Sequence, residues 1–460
     1  NNMKFPIRVL FLVLITAIVS TSCSNEQLDE TIEPTTPGIT NEITQVILDW
    51  NKLWCELDRY ATGMRPNATT RALAYIHLAA FEVCVEDMVS YTSNKDRYAE
   101  LVIDFSQRQP NVNVAIALNA CYATAMDHFM YNVRPDIDAK IGILRQQKEV
   151  ELTQGIDATI VSNSQDWGNY IAQQVISYSQ TDTEAETQIL SPQPTSYEPP
   201  VGEGFWTYSD ELERGLFPYW SSVRTFVIST EETSTVPPSL TYSEDASSNY
   251  YAAMEEVYTA SEAARTTDPE ELWIAEFWSN DVENLMMGPP GRQISIANQL
   301  ITQYDVDHQT ALVILLKLGF SLNDAAVSTW ADKYEYMVMR PSVYIQEFID
   351  PAFQTNLFPF ISWPNPTFPS YPSGHSTFAS AAAGIFIHHF GNNTNFTDRS
   401  HEGRTEFRGD PRTYSTFTDM AEENGFSRVP LGVHLRIDCT EGLRLGYEIS
   451  NAVNTFDLSQ

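Results

Sequence analysis

From about residue 43 onward, apolar residues recur at three- and four-residue spacing, and this periodicity restricts the chain to helices packed on helices. Ile43, Val46, Ile47, Trp50, Leu53 and Trp54 set the pattern, and Thr69-Thr70 open a long run through Met88. Further helical stretches are predicted near 112–131, 134–153, 165–179, 247–264, 269–281, 291–303 and 308–331, then Ser376–Phe390 and Glu441–Thr455. Strand alternation is nearly absent. The exception is a brief Arg224–Ser229, inside a Pro-, Glu- and Ser-rich stretch from about 183 to 245 that reads as a long connection between two helical halves. A second irregular segment is expected over 391–414. The fold class is all-α.

Three short motifs in the last third of the chain concentrate basic and imidazole side chains. Lys333 is followed after six residues by Arg340-Pro341. Tyr371-Pro372-Ser373-Gly374-His375 leads into the predicted Ser376–Phe390 helix. Ser427-Arg428 is followed after five residues by His434 and, after three more residues, by Asp438. The chain holds only 27 Lys+Arg against 60 Asp+Glu, so cations at this spacing stand out from ordinary surface charge. Chemically the set suits an oxyanion. Arg340 and Arg428 offer planar forks that match two oxygens each, and Lys333 adds a compact charge. Ser373 and the Gly374 N–H stand at a helix start, where unpaired N–H groups and the positive dipole end attract anions. Gly374 has no side chain to keep an anion away from the backbone.

In order and spacing these motifs resemble those of the vanadium-dependent haloperoxidase and type-2 phosphatidic acid phosphatase superfamily. Arg71-Ala-Leu-Ala-Tyr-Ile-His77-Leu-Ala-Ala-Phe81-Glu82 resembles the early helix of bacterial haloperoxidase-like proteins. So does Ala275-Glu276-Phe277-Trp278-Ser-Asn-Asp281, followed by Gly288-Pro289-Pro290-Gly291. The resemblance covers roughly 45–455 and implies one domain of two four-helix bundles, with the active site in the C-terminal bundle. It implies that vanadate, or phosphate, is bound by Lys333, Arg340, Ser373, Gly374 and Arg428. His434 would be the apical vanadium ligand in a haloperoxidase, or the phosphohistidine nucleophile in a phosphatase. His375 would be the acid/base on the opposite face, taking a proton from hydrogen peroxide while Lys333 polarises the peroxide and halide is oxidised to hypohalous acid. Asp438 is placed to fix the His434 tautomer, and Asp281 to lie against His375. His77, at helical spacing in an apolar run, reads as a packed structural histidine.

Both chemistries use the same residues. Trp330 and Phe368 match aromatics that flank the vanadate pocket of haloperoxidases and favour a vanadium-dependent haloperoxidase acting on iodide or bromide. Hydrogen peroxide, halide and an organic acceptor are then the partners. A soluble acid phosphatase hydrolysing phosphate monoesters is the alternative, and a binding scaffold with a degenerate site is a third class. Beyond the leader no apolar run is read as long enough to span a bilayer, which disfavours the integral-membrane lipid phosphatases.

The amino terminus reads as an export signal over 1–23. Lys4 and Arg8 precede a short apolar run from Val9 to Val19, and Ser20-Thr21-Ser22-Cys23 resembles a lipoprotein cleavage site with Cys23 as the lipidated residue. Residues 24–42 are polar and Pro/Thr-rich, as in a flexible tether. The domain is expected over 43–460, with its motifs in 330–438, exported and either secreted or anchored to a membrane only through the N-terminal lipid. A net charge of −33 argues against nucleic acid as a partner. The remaining cysteines, Cys55, Cys84, Cys121 and Cys439, show no metal-ligand spacing. Cys55, Cys84 and Cys121 lie in apolar helical patterns and read as free thiols.

Overall fold

A computed structural model describes residues 41–209, 212–357 and 365–459. The expected leader and nearly all of the tether lie outside the described residues.

Helix α1 (Glu42–Arg59) starts where the Asn41 side chain accepts the N–H groups of Ile43 and Thr44 at 2.8 and 3.0 Å. Next come α2 (Asn67–Cys84), α3 (Val114–Phe129), α4 (Pro135–Leu152), α5 (Ala158–Gln180) and α6 (Thr183–Leu190). Helices α1, α2, α3 and α5 pack as the first bundle, with α4 against α1 and α3. The long connection then leads to α7 (Asn249–Thr266), α8 (Pro269–Phe277), α9 (Pro289–Gln303) and α10 (His308–Tyr336). The chain closes with α11 (Pro341–Phe348), α12 (Gly374–Phe390), α13 (Phe417–Phe426), α14 (Arg428–Leu431) and α15 (Arg436–Asn454). Helices α9, α10, α12 and α15 form the second bundle. One apolar core runs through both bundles, because α10 packs on α2 on one side and on α12 and α15 on the other. The all-α architecture of two bundles agrees with the expectation.

Three features differ from it. Arg224–Ser229 is not a strand. The Asp324 carboxylate on α10 accepts the N–H groups of Phe226, Val227 and Ile228 at 2.8, 2.8 and 3.0 Å, so these donors are satisfied without a sheet partner. Within 391–414, Phe396–Asp398 and Arg412–Tyr414 form a two-stranded antiparallel hairpin, with Phe396 opposite Tyr414. Its Asp398 is buried in an ion pair with Arg292 of α9 at 2.8 Å. Finally, α10 is long and apolar enough to cross a membrane by length and composition, which corrects the reading of no such run. In this fold 94% of its most apolar stretch is buried among the other helices.

Candidate active site

Helix α10 continues one turn beyond its predicted end and ends at Met337, in the left-handed conformation at φ 52°. That extra turn carries Lys333 into the interior. Helix α12 begins at Gly374 because Ser373 caps it, its Oγ accepting from the N–H of Ser376 at 3.3 Å. The Asp438 carboxylate in the first turn of α15 accepts the N–H of Leu435 at 3.2 Å, and this fixes the loop that carries His434. Three chain segments distant in sequence thus converge.

A cavity of about 920 Å³ opens over them, with Arg340, Gly374, His375, Arg428, His434, Trp330 and Phe368 in its wall. The two aromatics lie against each other, their ring centroids 4.8 Å apart. Lys333 and Ser373 lie just behind this wall and are fully buried.

His434 is bonded on both ring nitrogens. Its Nε2 lies 3.0 Å from Arg340 Nη1, and a guanidinium only donates, so Nε2 is the accepting nitrogen. Nδ1 therefore carries the proton, which it directs at Asp438 Oδ2, 3.0 Å away. Ser370 Oγ lies 3.2 Å from the same Nδ1 and donates to Asp438 Oδ2 at 2.5 Å. Burial, then Arg340 and Lys333, push the His434 pKa well below its ordinary value, so the ring is neutral with its lone pair on Nε2. Burial raises Asp438 to about 6, opposed by Ser370 and Lys333.

His375 is fixed in the opposite sense. Its Nε2 donates to the carbonyl of Ser279 at 2.7 Å, because a carbonyl can only accept, and Nδ1 is left as the basic nitrogen. Burial, then the Arg428 guanidinium, bring its pKa down to about 3. Asp281 lies 3.9 Å from His375 Nε2, but its main partner is Arg428. Both carboxylate oxygens take Arg428 N–H groups, at 2.9 and 3.2 Å. Burial would raise the Asp281 carboxyl, yet Arg428 and His375 outweigh it and hold it below the usual carboxylate range.

Lys333 is used differently from the expectation. Its ammonium donates to the carbonyls of Pro369, Ser370 and Pro372 at 3.0, 2.9 and 2.5 Å, one acceptor for each N–H. Burial and Arg340 push its pKa down, but three accepting carbonyls fit only the ammonium form. Lys333 thereby holds the 369–372 segment in place and lends its charge from behind. Arg340 likewise spends N–H groups on the carbonyls of Phe368 and Val433, at 3.1 and 3.0 Å.

An oxyanion suits this arrangement. Lys333, Arg340 and Arg428 are buried together, with the carboxylates of Asp281 and Asp438 beside them and Glu213 in the cavity wall. Among the described residues the buried Arg428 Nε has no hydrogen-bond partner. A Cβ on Gly374 would come within 3.5 Å of Trp330 and 3.9 Å of Lys333, so the glycine leaves a cradle beside the helix start. Among the described residues no group of three His, Cys, Asp or Glu could hold a metal cation. The four described cysteines are free. His77 is buried on α2 in the first bundle, edge-on to Tyr122, as a structural histidine should be.

The sequence reading missed Ser370 and the Ser279 carbonyl. A hydroxyl three residues before Ser373 was a usable signal for the first, whereas a backbone oxygen leaves none. It also missed the wall built by the long connection, where Phe205 pairs with Val338 and Leu216 accepts from Trp330 Nε1 at 3.1 Å.

Residues 313–459, which carry every one of the three motifs, match the family model of the VCPO second helical-bundle domain. This match is consistent with the vanadium-dependent haloperoxidase and type-2 phosphatidic acid phosphatase superfamily. The chain is 22% identical over 405 residues to the vanadium chloroperoxidase of Curvularia inaequalis, a match covering 74% of this chain and 64% of that protein. The chain therefore spans less than two thirds of the length of this curated relative. Among solved structures, the first bacterial vanadium-dependent iodoperoxidase shares the fold with a TM-score of 0.78 and 23% identity, over 92% of this chain and all of that one. The holo form of a bacterial vanadium-dependent chloroperoxidase aligns with a TM-score of 0.63 and 16% identity, over 86% of this chain and 92% of that one.

Proposed function

We propose that the chain is a vanadium-dependent haloperoxidase that oxidises iodide or bromide with hydrogen peroxide to hypohalous acid. The observation that carries this reading is His434, a neutral imidazole with its lone pair on Nε2, set in the wall of a cavity against buried Arg340 and Arg428. The superfamily match and the names of the similar proteins support the choice of vanadate as the oxyanion.

When bound, vanadate supplies a Lewis acid that activates peroxide without changing oxidation state. His434 Nε2 is the attachment point, and Asp438 with Ser370 keeps its Nδ1 protonated. The Arg340 N–H that occupies Nε2 would then be available to an oxyanion oxygen. Arg428, the Gly374 N–H and the Ser373 hydroxyl supply the remaining donors. Lys333 would contribute its charge from behind the wall. His375, with Nδ1 unprotonated, accepts the proton of hydrogen peroxide. Negative charge in the pocket offsets the Arg428 field and raises the His375 pKa from about 3 toward a working range. Trp330 and Phe368 cover the anion and limit water.

From the leader-like sequence we further propose that this chemistry takes place outside the cytoplasm, on a domain tethered through Cys23. The test of function is peroxide-dependent iodide and bromide oxidation after reconstitution with orthovanadate, beside p-nitrophenyl phosphate hydrolysis without it. Halide oxidation that is suppressed by phosphate and lost in His434→Ala is the expected result. Phosphate ester hydrolysis with no halide oxidation would make the chain a phosphatase instead, and neither activity would favour the scaffold.

A further inference from the structure

Met339 lies one residue before Arg340 and lines the same cavity as His375, Arg428 and His434. Among the described residues it is the one methionine in that wall. Its backbone is pinned, its N–H donating to the Gly204 carbonyl at 3.0 Å, and the side chain is 9% exposed. Other methionines are placed differently: Met126 and Met254 are fully buried in the core, and Met287 is half-buried and is not one of the residues lining the cavity. A thioether is a soft nucleophile that two-electron oxidants convert to sulfoxide.

We propose that Met339 is a modification site, oxidised to the sulfoxide by hypohalous acid generated beside it. This rests on the haloperoxidase reading above. The sulfur attacks the halogen of hypohalous acid, forming a sulfur–halogen bond as hydroxide leaves. Water then adds its oxygen to sulfur, halide departs, and two protons are released, one of which neutralises the hydroxide. Sulfur loses two electrons and the halogen gains them, so each event consumes one hypohalous acid and returns one halide and one proton. The product places a polar S=O bond next to Arg340 and the Phe205 wall, where an apolar side chain stood. Met339 thereby limits the number of turnovers the enzyme completes when no acceptor removes the oxidant.

The test is a time course of peptide mass spectrometry on the full chain loaded with orthovanadate, hydrogen peroxide and iodide. Met339 sulfoxide should form several-fold faster than Met287 sulfoxide, and only when both peroxide and iodide are present. Met339 left as the thioether, or trailing Met287, would overturn the proposal. A second arm adds hypobromite to the chain without vanadate. Here Met339 should react ahead of the buried Met254 but lose its lead over Met287, since the oxidant now arrives from outside; no reaction at Met339 overturns its placement. If the loaded chain oxidises no halide while Met339 still reacts with added hypobromite, the haloperoxidase reading has failed and the reactive thioether has not. Met339→Leu should hold its own initial rate for several-fold more turnovers, and an unchanged decay would contradict the limiting role.

Discussion

Burial holds several histidines neutral, and that has a measurable consequence for His77. Among the described residues neither of its ring nitrogens has a hydrogen-bond partner, and desolvation lowers its pKa from 6.5 to about 3. The unfolded chain therefore takes up a proton on this residue as pH falls below 6.5, while the folded chain does not. Its share of the stability is intact above 6.5 and is lost on going down toward about 3. His77→Leu removes the titrating group without breaking a hydrogen bond. The variant should gain on wild type by about 1.4 kcal/mol for each pH unit below 6, read by urea unfolding at several pH values. A pH-independent difference would show that His77 is protonated or solvated in the fold. At this scale the sequence carried the cationic set well, since Arg, Lys and His announce themselves by type and spacing. It did not carry how Lys333 spends its hydrogen bonds, because the acceptors are backbone carbonyls of Pro369, Ser370 and Pro372.

Helices α12 and α15 bring the two halves of the site together, and they approach closely through glycine. A Cβ on Gly446 would lie 2.3 Å from the Thr377 carbonyl and 2.8 Å from the Ala381 nitrogen, both backbone atoms that cannot rotate aside. On Gly442 it would meet the Ser373 carbonyl at 2.5 Å. Ser373, Gly374 and His375 ride at the start of α12, while α15 begins two residues after His434 and carries Asp438. Gly446→Ala must push the helices apart. It should destabilise the chain by about 2 kcal/mol in urea unfolding and weaken orthovanadate binding together with it. Unchanged stability and affinity would mean that the helix contact does not set the site. Periodicity located these helices to within a few residues, but it is blind to which faces meet at backbone distance. Arg224–Ser229 shows the opposite limit. Its apolar, β-branched run looked like a strand, and a buried carboxylate on α10 satisfied its N–H groups instead.

Across the whole molecule, α10 joins the two bundles and also staples the long connection that walls the cavity. Asp324 holds residues 226–228, Asp332 accepts the Thr235 N–H at 2.7 Å, and Tyr334 donates to the Leu216 carbonyl at 2.8 Å. The connection reads as low-information sequence because its contacts are made by isolated side chains on a distant helix, not by a repeating pattern. The motifs were legible because Arg, Lys and His at such spacing are distinctive residue types, and the cavity wall was not because aromatic and aliphatic residues at its positions resemble any core. The proposed function requires His434 to be the attachment point of an oxyanion held by Arg340 and Arg428. Titration of orthovanadate into wild type and His434→Ala, followed by vanadium-51 NMR with phosphate as competitor, tests that directly. Wild type should bind one orthovanadate per chain, displaced by phosphate, and His434→Ala should bind it more than about tenfold more weakly, a loss of about 1.4 kcal/mol or more. Equal affinity in the two proteins, or no binding by wild type, would contradict the account.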